Sequence, residues 1–346
     1  MKNKNLIKIG FIYFVSITLV AIVFVLGSFG LITNGWLSAF LIQCVVLFGV
    51  PFLLYTIMVS KNAKQTFADT GFKKINGKMI VISILLGIVL YIINSFVAST
   101  FSGLITLLGY ESIKLGTVTE TISYATLLKE LLLSCFLPAV CEEFLHRGIM
   151  LLAHKKQTNP RYALIISSLL FGLIHLSINQ FFYACILGGF MGDSALVSDS
   201  IFPSMIVHFM NNALSTYFYY GFYLKWPFAT FVNDVEMFVS GNAFLYIGVV
   251  SLAVVLMLWI YKLLTKQLMK ERAQMDIKKI INYLKVNSLT IEEAQEKINQ
   301  VNDVLNQSEL LKRQKQHKNM ASTVFVVSSI VLGALVTISS FIWGLI

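Results

Sequence analysis

The residues able to do chemistry in this sequence gather in three short stretches, each inside an apolar run. "PAVCEEFLHRG" (138–148) carries Glu142, Glu143, His146 and Arg147; "FGLIH" (171–175) carries His175; "HFMNN" (208–212) carries His208 and Asn212. Ionisable side chains are costly in hydrocarbon, so those found within a span are functional candidates. Glu143 and Arg147 are four apart, on one helical face, and can pair. His208 and Asn212 share that spacing and can point into one site. A carboxylate and an imidazole around one water form a general base that can activate it for attack on a carbonyl. A second imidazole and a carboxamide can donate hydrogen bonds to the oxyanion created by that attack. Such a set hydrolyses a peptide bond without a nucleophilic Ser or Cys. The same Glu/His/His set, Glu142, His175 and His208, could instead hold Zn²⁺ with one open position. Each part also has a structural reading: a locking ion pair, a packing histidine, a hydrogen-bonded helix contact. Their joint occurrence favours a site.

The elements that must position these groups follow from composition. The 346 residues are 57% hydrophobic and 13% charged, and that share of charge is about half the usual value for a soluble domain. Crossing the bilayer takes about 20 apolar residues. Such runs occur at 6–29, 36–59, 79–108, 125–152, 162–179, 181–197, 201–222, 243–264 and 321–345, which predicts an all-α, polytopic membrane protein of eight to nine transmembrane helices. The net charge of +10 does not read as nucleic-acid binding. Apart from Lys114, Lys129, Lys225 and Arg147, every Lys and Arg lies in the N-terminal tail or in 61–78, 155–161 and 262–318. Basic residues accumulate on the cytoplasmic side, which predicts a multi-pass protein of the cell membrane with a cytoplasmic N terminus. The apolar stretch after the basic start is too long for a signal peptide, so an uncleaved first helix is expected. Cys44, Cys135, Cys141 and Cys185 all fall within spans and read as structural thiols.

Along the chain, residues 1–78 form a transmembrane hairpin closed by a basic loop. Residues 79–222 form a compact core holding nearly all the intramembrane polar groups. Residues 223–264 add an outer loop and a further helix, 265–320 a charged cytoplasmic segment, and 321–346 a last span. Within the charged segment, Ile291, Ala294, Ile298, Val301 and Leu305 recur at spacings of three and four, which predicts an amphipathic cytoplasmic helix. Depths in the bilayer are compatible with one site. At the helical rise, Glu142 lies about 16 Å, His175 about 20 Å, and His208 and Asn212 about 12 and 18 Å from the cytoplasmic ends of their runs.

"EEFLHRG", "FGLIH" and "HFMNN" resemble, in order, the E-E-x-x-x-R, F-x-x-x-H and H-x-x-x-N motifs of the CAAX-protease and bacteriocin-processing (Abi) family of intramembrane proteases. The resemblance covers about residues 120–215. It implies that Glu142 activates water together with His175, that His208 and Asn212 form the oxyanion side, and that Glu143 and Arg147 organise the site as an ion pair. It implies an intramembrane peptidase acting on a membrane protein or peptide within the lipid bilayer, through a cavity facing the cytoplasm. Peptide maturation and bacteriocin self-immunity are roles consistent with it. The sequence lacks H-E-x-x-H, which favours a metal-free glutamate-type site, with Zn²⁺ the alternative. His146 departs from the family pattern, which carries an aromatic there, and is expected to face a neighbouring helix or the cytoplasmic boundary. A non-enzymatic immunity or scaffold protein retaining the fold is the alternative reading. A proton-coupled transporter ranks below both, because neither broken helices nor repeat symmetry is visible.

Overall fold

The computed structural model describes residues 2–32, 34–110, 122–155, 159–286 and 320–343. Every regular element among them is helical. In chain order these are α1 (Lys2–Ser28), α2 (Gly35–Ser60), α3 (Ala63–Asp69), α4 (Gly77–Leu107), α5 (Tyr124–Ala153), α6 (Pro160–Leu173), α7 (Ile178–Ser198), α8 (Phe202–Tyr223), α9 (Pro227–Ser240), α10 (Ala243–Val286) and α11 (Met320–Trp343). Six of the described helices are long and apolar enough to cross a membrane: within α1, α2, α4, α5, α7 and α10. The chain is thus built as a polytopic helical membrane protein.

Local chemistry sets the helix starts. The Asn76 side chain accepts from Met79 N at the head of α4, Ser123 and Thr126 form a reciprocal capping box on α5, and Asn159 followed by Pro160 opens α6, as N-cap and first-turn preferences require. Parts of α2 and α5 are wound as π-helix, notably 42–49 and 144–153. Wide turns of this kind occur often at functional sites, and here the transition at Phe144 falls between Glu143 and Arg147.

α4 lies against both α8 and α10, α6 pairs with α7, and α1 packs on α11. α5 runs through the centre, and its residues 144–153 are all buried. At the basic end, the Asp199 carboxylate after α7 gathers Lys73 from the α3–α4 connection, Lys155 from the end of α5 at 2.9 Å, and Arg272 of α10 at 3.9 Å. Burial pushes the Asp199 carboxyl up, but Lys155 and Lys73 outweigh it and bring its pKa down to about 2.

Three expectations need correction. The run 162–179 is not one helix: α6 stops at Leu173, and a turn through Leu176, at φ 51°, leads into α7. The stretch after α8 that reads as a loop contains α9, opened by Pro227. The eighth run does not end its helix at 264, because α10 continues through the onset of charge to Val286. The amphipathic helix expected at 291–305 lies outside the described residues. The four cysteines are free thiols.

Candidate active site

Glu142, Glu143 and Arg147 come from α5, His175 from the turn after α6, and His208 and Asn212 from α8. Glu142, His175, His208 and Asn212 line one cavity of about 530 Å³, enclosed by α2, α4, α5, α7 and α8. Glu143 and Arg147 sit beneath it, both at 0% exposure.

The floor is an ordered electrostatic stack. Arg147 Nη1 donates to Glu143 Oε1 at 2.7 Å, and Nη2 donates to the Gly188 carbonyl at 3.0 Å. The guanidinium carbon lies 4.2 Å from the Phe171 ring centroid, a cation–π distance. Gly188 permits this approach: a Cβ there would stand 3.1 Å from Phe171 Cδ1 and 3.3 Å from Arg147 Nη2. Above the pair, His208 Nδ1 donates to the same Glu143 oxygen at 3.0 Å, and its Nε2 stands 4.0 Å from Glu142 Oε2. His208 therefore connects the two carboxylates. The Phe171 ring meets the rings of His175 and His208 edge-on, at centroid distances of 5.2 and 5.6 Å.

The hydrogen bonds assign proton positions. The Phe171 carbonyl can only accept, so His175 Nδ1, 2.8 Å away, carries the proton. In the neutral ring this leaves Nε2 as an acceptor. The same logic places a proton on His208 Nδ1. Glu142 Oε1 accepts from Gln43 Nε2 at 2.8 Å, and Glu142 Oε2, also buried, has no hydrogen-bond partner among the described residues.

Asn212 Nδ2 donates to the Ser134 carbonyl at 3.0 Å, which commits one of its two N–H groups. Its neighbour Asn211 is the more buried, and its amide donates to Asn212 Oδ1 at 3.1 Å. Sequence reasoning missed Gln43, Asn94 and Asn211. Gln43 and Asn94 offered only a lone carboxamide in an apolar run, and Asn211 stood beside Asn212 within "HFMNN". His146 faces away from the cavity, toward α1. Its Nδ1 donates to the Glu142 carbonyl at 2.8 Å, and the Tyr13 hydroxyl lies 3.2 Å from its Nε2.

Glu142, His175 and His208, the residues of the zinc alternative, line this one cavity; among the described residues no group of three His, Cys, Asp or Glu side chains is close enough as it stands to form a ligand set. One expectation changes: the cavity does not open toward the basic loops. Its floor residues Glu142, His208 and Phe171 are buried, while Ser134, Gln180 and Ser215 on its rim are exposed. Those rim residues lie toward the helix ends away from 61–78 and 155–161.

This placement of two carboxylates, two imidazoles and a carboxamide on α5, the α6–α7 turn and α8 falls within one segment of sequence. Residues 124–214 match the Rce1-like family of type II CAAX prenyl endopeptidases. The resemblance read from the three motifs is thus shown for this segment. The Rce1-like segment spans α5 to the middle of α8 and contains Glu142, Glu143, Arg147, His175, His208 and Asn212. Gln43 and Asn94, which complete the cavity wall, come from α2 and α4 outside it. Comparison with curated proteins gave no match, and neither did comparison with solved structures.

Proposed function

We propose that this protein is an intramembrane endopeptidase that hydrolyses a peptide bond with water activated by Glu142 and His175. The observation that carries the reading is the cavity itself. It brings together a Glu142 oxygen that makes no hydrogen bond among the described residues and an acceptor imidazole nitrogen, above a neutralised Glu143–Arg147 floor.

In this mechanism a water hydrogen-bonds to His175 Nε2 and gives its proton to Glu142 Oε2 as its oxygen attacks the carbonyl carbon. The new C–O bond turns the carbonyl into an oxyanion. The second N–H of Asn212 and the Nε2–H of His208 donate to it. His208 donates from Nε2 only as the imidazolium, since its Nδ1 proton is held by Glu143, and the Glu143 carboxylate stabilises that charge. Collapse breaks the C–N bond, and the proton on Glu142 passes to the leaving amine. The products are a carboxylic acid and an amine, which exchange the remaining proton to leave a carboxylate and an ammonium. Glu143 and Arg147 touch no reacting atom; they orient His208 and compensate charge beneath the site.

The test compares membrane proteomes and secreted peptides from cells carrying wild-type protein or Glu142→Ala. The expected result is one or more membrane-associated peptides cut only by wild type. Identical profiles, with both proteins folded and equally abundant, would remove the assignment. Metal analysis of the purified protein, with and without His208→Ala, tests the cofactor reading: a metal-free site predicts no bound metal in either, whereas stoichiometric metal lost on substitution contradicts it.

A further inference from the structure

The outer half of the cavity carries polar groups that water activation does not use. Asn94 Nδ2 of α4 donates to Asn211 Oδ1 at 3.4 Å, Asn211 Nδ2 to Asn212 Oδ1 at 3.1 Å, and Asn212 Nδ2 to the Ser134 carbonyl at 3.0 Å. All three links donate in one direction. The relay ends on a backbone carbonyl of α5 and begins at Asn94 Oδ1, which accepts from no group among the described residues. Gln43 of α2 repeats the pattern: its amide donates to Glu142, and its Oε1 is left without a partner. Both side chains belong to residues that are 9% exposed, and both line the cavity. Leaving a buried acceptor without a donor is unfavourable, so two such oxygens on residues that line one cavity call for a ligand that brings donors.

The chemistry of that ligand is restricted. Apart from Glu142 and the two histidines, the lining holds no ionisable group other than tyrosines, and it is rich in Gln, Asn, Ser and Thr. Neutral donors in series are what an extended peptide backbone offers, with N–H groups directed alternately to either side. A prenyl chain offers none.

The direction of approach follows from the rim. Ser134 lies about 15 Å from the first residue of α5 and Ser215 about 12 Å from the last residue of α8, by the helical rise. These are the ends opposite the basic connections, and basic connections mark the cytoplasmic side.

We propose that Gln43 Oε1 and Asn94 Oδ1 form a backbone-binding subsite for an extended, unprenylated peptide segment that reaches the site from the membrane face opposite the basic loops. This rests on the peptidase reading above and adds to it the class of substrate and its side of approach.

The experiment uses the full chain and needs no turnover. Ser215→Cys on the rim and Lys74→Cys in the exposed basic connection are treated in intact cells with a membrane-impermeant maleimide, and labelling of the four native cysteines in the parent is subtracted. Ser215→Cys is expected to label in intact cells and Lys74→Cys only after permeabilisation. The reverse pattern, or no labelling of Ser215→Cys from outside, overturns the side of approach. In purified protein carrying Glu142→Gln, an N-acetylated, C-amidated octapeptide of alternating Ala and Thr is then used to protect Ser215→Cys. Asn94→Leu and Gln43→Leu, made separately, are each expected to raise the half-protecting concentration by about five- to tenfold, as loss of one hydrogen bond does. No protection, protection unchanged in both variants, or protection by a farnesylated cysteine methyl ester instead of the peptide overturns the subsite. Failure here leaves cleavage by Glu142 separately measurable.

Discussion

Replacing Arg147 with Met removes a bidentate anchor while leaving an apolar chain of similar reach. Arg147 makes a 2.7 Å bond to Glu143, a 3.0 Å bond to the Gly188 carbonyl and a 4.2 Å contact over Phe171, all at 0% exposure. After the substitution the buried Glu143 keeps His208 alone as a charge partner. Breaking one side of a buried ion pair costs about 3–5 kcal/mol, whereas replacing both sides by apolar groups is often near neutral. The double variant Glu143→Leu/Arg147→Met is therefore expected to regain at least about 2 kcal/mol of the loss, a coupling that a double-mutant cycle isolates. The assay is unfolding of the purified protein in mixed micelles titrated with SDS, for wild type, both single variants and the double. A single-variant loss below about 1 kcal/mol, or a double variant as unstable as the sum of the singles, would refute the view that Glu143 and Arg147 are a charge-compensating pair. The double variant should still lack cleavage, because His208 loses the carboxylate that orients it.

Three other outcomes follow from the same geometry. Gly188→Ala places a Cβ against Phe171 and Arg147; it should destabilise by about 1–3 kcal/mol through overpacking and lower turnover, read by SDS unfolding and by rate. His146→Phe forfeits the contact with Tyr13 and the bond to the Glu142 carbonyl; a loss of about 1 kcal/mol with cleavage retained is expected, and abolished cleavage would make His146 part of the site. The Asp199 carboxyl titrates below its ordinary 3.8, near 2. Its stabilising contribution is therefore present above about pH 4 and is lost as pH falls through about 2. The stability gap between wild type and Asp199→Asn should close over that window in a pH series of unfolding measurements.

The candidate site was legible because ionisable groups are rare in spans, so Glu142, Glu143, Arg147, His175 and His208 stand out on cost alone. The four-residue spacing of Glu143 and Arg147 gave their pairing directly. The subsite residues were not legible, since Gln43 and Asn94 are single neutral amides whose meaning depends on partners 99 and 117 positions away. His146 meets Tyr13 across 133 positions. The fold was read well where hydropathy and helix ends coincide, as in α1, α2, α4 and α5. It failed at Leu173 because the turn "IHLS" is itself partly apolar and does not interrupt an apolar window. It failed again at α10, where the charges from Lys262 onward end the apolar run but not the helix. α9 had a readable signal in Pro227, but its mixed composition resembled a loop. The opening of the cavity could not be read from sequence, because it depends on which helix halves diverge.

The central claim is that Glu142 delivers a water molecule, rather than its own oxygen, to the scissile carbonyl. A single-turnover cleavage in H₂¹⁸O, with mass spectrometry of both product and enzyme, tests it directly. The mechanism predicts one ¹⁸O in the new product carboxylate, none in Glu142, and no cleavage by Glu142→Gln. An unlabelled product carboxylate with ¹⁸O left on Glu142, or full cleavage by Glu142→Gln, would contradict it.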